Sequence, residues 1–113
     1  MRRHKLIDAV AETDATFNRT DGQWLGKCLI CNGRLTFDER TGVGANLEHI
    51  VPRSRGGTND LSNLGLTHPS CNAEKGRNWD AQRRRRDPDE YNQLLRRLQE
   101  RRFSRWRAPT TGR

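Results

Sequence analysis

A small α+β domain, two short antiparallel strands followed by helices and pinned by a metal, is predicted for this 113-residue chain by three observations. Two apolar runs of strand length flank a basic loop containing Gly56 and Gly57. The pattern turns helical from Cys71 onward. All three cysteines fall into two short-spaced pairs, Cys28-x-x-Cys31 and His68-x-x-Cys71.

In chain order, Leu6, Ile7, Val10 and Ala11 recur at helical spacing and predict a short helix over residues 4–13. The stretch Asn18–Gly22 reads as a loop. Trp24 and Leu25 lead into the first cysteine pair, and Asn32-Gly33 closes a tight turn behind it. Leu35 and Phe37, separated by Thr36, alternate as a strand does, with a turn at Thr41–Gly44. Residues 46–51 form a second apolar run that stops at Pro52; Leu61, Leu64 and Leu66 mark the return after the glycine loop. The helix from Cys71 has Ser70 as its expected cap and Gly76 as its main interruption. A further helix starts at Asp87-Pro88-Asp89-Glu90, with Asp87 as N-cap, Pro88 at N1 and Glu90 at N3. Tyr91, Leu94, Leu95 and Leu98 form its apolar stripe, continued by Phe103 and Trp106, while Arg96, Arg97, Arg101 and Arg105 are expected on the opposite side. Ala108–Arg113 reads as a frayed tail.

Only 31% of residues are hydrophobic against 32% charged, so the core is thin, and chains of this size and composition commonly depend on a metal or cross-link. An odd number of cysteines argues against a secreted disulfide framework and for thiolates kept reduced, hence a cytoplasmic expectation. Asp8 and Glu12 interrupt the place where a signal peptide's apolar stretch would lie, and no run approaches the roughly 20 apolar residues of a membrane span. The net charge of +8 is unevenly distributed: residues 1–76 hold ten Lys and Arg against nine acids, residues 77–113 twelve Arg against five. Such an arginine block points to a polyanionic partner, nucleic acid foremost, with an acidic protein or anionic lipid as alternatives. The expected organisation is a zinc-stapled domain over residues 1–82 and an arginine-rich helical extension over 83–113.

Cys28, Cys31, His68 and Cys71 make a Cys3His set, the donor number and type of a closed tetrahedral zinc site. A closed site holds a fold together and has no open position for chemistry. The bland alternative is three small buried cysteines and a loop histidine.

Glu48, His49, Asn63 and Asn72 are left over. Glu48-His49-Ile50-Val51-Pro52-Arg53-Ser54-Arg55-Gly56-Gly57, then Asn63-Leu64, then Cys71-Asn72-Ala73-Glu74-Lys75-Gly76 resembles the motif of the HNH endonuclease family across residues 28–76, with the zinc pairs interleaved. The resemblance implies the ββα-metal (His-Me finger) fold, with C-terminal basic helices added here, and metal-dependent hydrolysis of DNA phosphodiester bonds leaving 5′-phosphate and 3′-hydroxyl ends. By position, His49 is the implied general base. Glu48 and Asn72 are the implied holders of a catalytic Mg²⁺ or similar divalent ion, Asn63 the brace of the loop that orients His49, and Cys28, Cys31, His68 and Cys71 the zinc ligands. Oxygen donors suit a hard ion, so the two metals are expected to differ. Arg53, Arg55 or Lys75 add phosphate contacts, and Arg83, Arg84, Arg85 and Arg86 are candidate DNA contacts.

Three features depart from the motif: Glu48 stands where aspartate is more usual, His68 replaces a cysteine, and Asn72 replaces the last histidine. Neighbouring strand residues also point to opposite faces, so Glu48 and His49 share a site only at a bulge or strand end. Two rival readings remain open: a noncatalytic zinc-containing DNA-binding module, and an accessory subunit of a phage packaging complex attached to a terminase or other protein. A compact chain of this type looks phage-like or bacterial, which places it in a bacterial or phage-infected cell.

Overall fold

The computed structural model describes residues 3–81 and 88–109. The candidate contacts Arg83, Arg84, Arg85 and Arg86, and the expected cap Asp87, lie outside the described residues. The architecture is small α+β. Helix α1 (Arg3–Glu12) is followed by a three-stranded antiparallel meander of β1 (Asn18–Thr20), β2 (Gln23–Lys27) and β3 (Arg34–Asp38). A two-stranded antiparallel pair, β4 (Asn46–His49) and β5 (Leu64–Thr67), then leads directly into α2 (Pro69–Lys75), completing a ββα unit. A widened turn spans Gly76–Asp80, and α3 (Pro88–Ser104) ends the fold.

Of the three strands of the meander only β3 is expected from the sequence; β1 and β2 are additions. Asn18–Gly22 is not a loop: Asp21 (φ 53°) and Gly22 (φ 78°) form a two-residue left-handed turn that folds β1 onto β2. An Asp-Gly pair is a strong hairpin signal, because its backbone twist matches that of the flanking strands. Trp24 on β2 and Leu35 and Phe37 on β3 point inward. They meet Ile7, Val10 and Ala11 of α1, Phe17, and Leu64 and Leu66 of β5 in one core. A smaller cluster joins Leu29 between the cysteines, Ile50 after β4 and Leu98 of α3.

Helix α2 begins two residues earlier than the sequence suggests. Pro69 takes the first helical position, where its missing N–H costs nothing, and His68 occupies the cap position in place of Ser70.

On α3, Tyr91, Leu95 and Leu98 are buried as expected, but Phe103 is 81% exposed and the inner position beside it belongs to Arg102, which is 1% exposed. Arg96 and Arg97 face solvent. Arg101 and Arg105, expected on that side too, turn inward instead. The reason lies in orphaned carbonyls. Arg101 and Arg105 meet free carbonyls of Leu29 and Lys27 around the first cysteine pair, and the last turn of α1, which has no basic residue of its own, offers its C=O groups to Arg102 and Arg107. Arg102 donates to Thr13 O (2.9 Å), Thr13 Oγ1 (2.6 Å) and Leu64 O (2.7 Å), and Arg107 donates to Glu12 O (2.8 Å) and Ala11 O (3.1 Å). The described part of the arginine-rich segment is therefore packed on the core. Among the described residues, no helix is long and apolar enough to cross a membrane.

Candidate metal centre and active site

Cys28 and Cys31 sit on a knuckle between β2 and β3. Cys28 N donates to Gly33 O (2.8 Å), Asn32 N to Cys28 O (2.9 Å), and Asn32 adopts φ 63°, a left-handed position that asparagine tolerates. The turn aims Gly33 N at Cys31 Sγ (3.3 Å). That N–H, more than any other partner, holds the Cys31 thiol down to about 7. Burial, with the neighbouring Cys28 next in weight, pushes Cys71 up to about 12. Three sulfurs this close would repel one another as thiolates without a cation between them, so the pocket suits a positive ion.

The sulfurs of Cys28, Cys31 and Cys71 and a ring nitrogen of His68 all lie within 4.8 Å of one another, as the ligands of one tetrahedral ion do. His68 Nε2 lies 2.7 Å from Arg34 O and must donate to it, which leaves the Nδ1 lone pair facing Cys31 Sγ (3.4 Å) and Cys71 Sγ (3.7 Å). A histidine oriented through its second nitrogen is the usual companion of a bound zinc. The four residues fit zinc. The knuckle is itself clamped by α3: Arg101 donates to Leu29 O (2.6 Å) and Ile30 O (2.9 Å), and Arg105 to Lys27 O (3.2 Å) and the Asn32 side chain.

The second group lies across β4 and α2. Glu48 pairs in register with Gly65, and its carboxylate, 6% exposed, points at α2. There Asn72 Nδ2 donates to Oε1 (2.8 Å) and Lys75 Nζ lies 2.6 Å from Oε2. Burial raises the Glu48 pKa, and the Lys75 charge works against that rise. Oε2 receives no well-aligned hydrogen bond despite its close ion pair. A buried carboxylate beside an amide offers oxygen donors of the kind that a hard divalent cation takes.

His49 is the last residue of β4, which meets the strand-end condition. Its Nε2 lies 2.8 Å from Asn59 Oδ1. An amide oxygen only accepts, so Nε2 carries the proton and Nδ1 is left as the basic nitrogen. Asn59, which makes this contact, is a residue that sequence patterns do not single out; its one signal is an amide in the loop between β4 and β5.

Asn63 ties that loop together, accepting from Val51 N (3.0 Å) and donating to Val51 O (3.1 Å) and Thr58 O (2.8 Å). Gly57 permits the closure, since a Cβ there would sit 1.7 Å from Val51 O. The structure thus brings Glu48 and Asn72 into contact and places His49 and Asn63 on the same loop framework.

The basic candidates separate. Arg53 is exposed on a 3₁₀ turn, and Arg55 lies 4.9 Å over the Tyr91 ring, which also stacks on Trp79. Lys75, expected at a phosphate, is 3% exposed and held by Glu48, Asp80 and the carbonyls of Ile50 and His49, so it does not form part of the accessible surface. The helix geometry turns it toward the carboxylates of Glu48 on β4 and Asp80 in the widened turn, which need a cation.

Compared with known proteins, residues 28–78 match the model of the HNH endonuclease family. The match covers both cysteine pairs, β3, β4, β5 and α2. No curated protein and no solved structure matches the chain.

Proposed function

We propose that the HNH endonuclease domain of residues 28–78 makes this protein a divalent-metal-dependent DNA endonuclease, with His49 as general base. The observation that carries the reading is the His49–Asn59 contact, since a ring whose Nε2–H is held by an amide oxygen offers Nδ1 to a water proton. Asn63 fixes the chain that follows His49, accepting from Ile50 N through its backbone carbonyl and clasping Val51 with its side chain, so the ring keeps its aim while a substrate is bound. Glu48 and Asn72 hold the divalent ion, the amide contributing its Oδ1. When bound, that ion supplies the charge stabilisation that a crowded, multiply anionic phosphoryl centre requires. Cys28, Cys31, His68 and Cys71 hold zinc, which keeps α2 against the knuckle and thereby keeps Asn72 against Glu48. Arg53, together with Arg83, Arg84, Arg85 and Arg86, supplies phosphate contacts; these orient the duplex without reading its sequence.

The test is a plasmid nicking assay on zinc-loaded protein with Mg²⁺ or Mn²⁺. His49→Ala is expected to reduce the rate by about 10² to 10⁴, the usual worth of a general base. Absence of cleavage by the wild type with every divalent ion tried, alongside retained DNA binding, would leave the noncatalytic DNA-binding module as the correct reading.

A further inference from the structure

The ammonium of Lys75 occupies the anionic position that the proposed function gives to a cation. Its Nζ lies 2.6 Å from Glu48 Oε2, and also 2.8 Å and 3.0 Å from the two carboxylate oxygens of Asp80. Its side chain is 2% exposed, so its charge is neutralised by these two acids and by backbone carbonyls, not by water. Tyr91 of α3 donates to Asp80 Oδ1 (2.6 Å) and fixes the second acid from behind.

The backbone is built to create this arrangement. In a regular α-helix, residues five apart lie about 140° apart around the axis, so Lys75 and Asp80 would face different directions. The segment Gly76–Asp80 is instead a π-type turn, with Ala81 N donating to Gly76 O (2.9 Å), and it swings Asp80 back over Lys75. Such turns are rare and concentrate at functional sites.

We propose that Asp80 is a positioning residue that receives Lys75 when a divalent cation binds Glu48. The inference rests on Glu48 serving as a metal ligand, as in the proposed function. Without the cation, Lys75 compensates a buried carboxylate that would otherwise be unpaired. With it, an ammonium and a divalent ion repel each other and compete for Glu48, and the bidentate pair with Asp80 gives Lys75 a second place to rest without leaving the site. Tyr91 keeps that place formed. Asp80 and Tyr91 therefore set the affinity of the site for its ion, although neither touches it.

The experiment titrates Mn²⁺ into full-length, zinc-loaded protein and reads free Mn²⁺ by electron paramagnetic resonance, independent of cleavage. Asp80→Asn is expected to weaken Mn²⁺ binding about tenfold in the wild-type background and less than about threefold in a Lys75→Gln background, the mark of coupled residues. Equal losses in both backgrounds would mean plain attraction between Asp80 and the ion and would overturn the proposal, as would an unchanged affinity in Asp80→Asn. Tyr91→Phe keeps the Asp80 charge and is expected to weaken binding about threefold by loosening the acceptor. Should Lys75→Gln fail to fold, judged by zinc content and circular dichroism, Tyr91→Phe decides, because simple attraction predicts no change there. Wild-type protein that takes up no Mn²⁺ beyond its zinc overturns both this inference and the metal-dependent reading. Normal wild-type uptake with insensitive variants overturns this inference alone.

Discussion

His49 and Asn59 lie ten positions apart, and only the folded loop makes them partners. The identity of His49 as a chemically distinctive residue is legible from its neighbours Glu48 and Ile50 to Gly57, because those residue types recur as a motif. Its tautomer is not legible, since that depends on what meets Nε2. Asn59→Ala is expected to lower kcat about tenfold while leaving zinc content and Mn²⁺ affinity in place, comparable to the loss of other side chains that orient a reactive histidine. A single-turnover nicking assay separates the two effects. Asp38 offers a residue-level test of the fold. Its carboxylate accepts from the backbone N–H groups of Thr41 and Arg40, in that order of weight, which holds its pKa below the ordinary value. A depressed folded-state pKa contributes stability that is present above about pH 4, the unfolded value, and is lost as pH falls through the folded one. Asp38→Asn should therefore lower the melting temperature at pH 7, and the difference from wild type should shrink as the medium is acidified below pH 4.

At the scale of elements, the strand pair β4–β5 and the helix behind it are readable because apolar spacing, Pro52 and the two glycines mark their limits. The β1–β2 hairpin escapes a reading by hydrophobic pattern although Asp21-Gly22 announces it. Its short first strand, Asn18–Thr20, is exposed throughout and carries no apolar alternation to reveal it. The inward arginines of α3 escape for a related reason: periodicity assigns charged residues to the water side. Here four guanidinium groups, those of Arg101, Arg102, Arg105 and Arg107, satisfy carbonyls that α1 and the cysteine knuckle leave open. Arg102→Met is expected to destabilise the protein by about 3 kcal/mol, since it strands the buried carbonyl of Leu64 and removes charged donors from the carbonyl and hydroxyl of Thr13. Chemical denaturation monitored by Trp fluorescence measures it. Arg105→Ala should speed zinc loss to a competing chelator more than it lowers global stability, because Arg105 grips the knuckle at Lys27 O and Asn32.

For the molecule as a whole, the charge distribution divides into two roles. Part of the C-terminal excess is consumed internally, so removing the segment from residue 83 onward would also remove Tyr91, Leu95 and Leu98 from the core. At about 1.5–3 kcal/mol for each buried side chain, that loss is comparable to the entire stability of a small domain. DNA binding by the arginine run is therefore tested by replacing Arg83, Arg84, Arg85 and Arg86 with glutamine. The slope of log affinity against log salt should become shallower by about 0.9 for each phosphate that the protein no longer neutralises, and an unchanged slope would remove the run from the binding surface.

The sequence by itself determined the chemical inventory: the Cys3His set, the motif residues from Glu48 to Gly76, the basic tail and a small apolar fraction. Residue types and short spacings suffice for these, because they depend on local geometry. Only the tertiary structure decided which charges are spent on the fold, that Asn59 meets His49, and that Lys75 rests between Glu48 and Asp80. Those pairings join residues whose partners are chosen by packing, burial and the need of each buried charge for a counter-charge, and no local pattern records them.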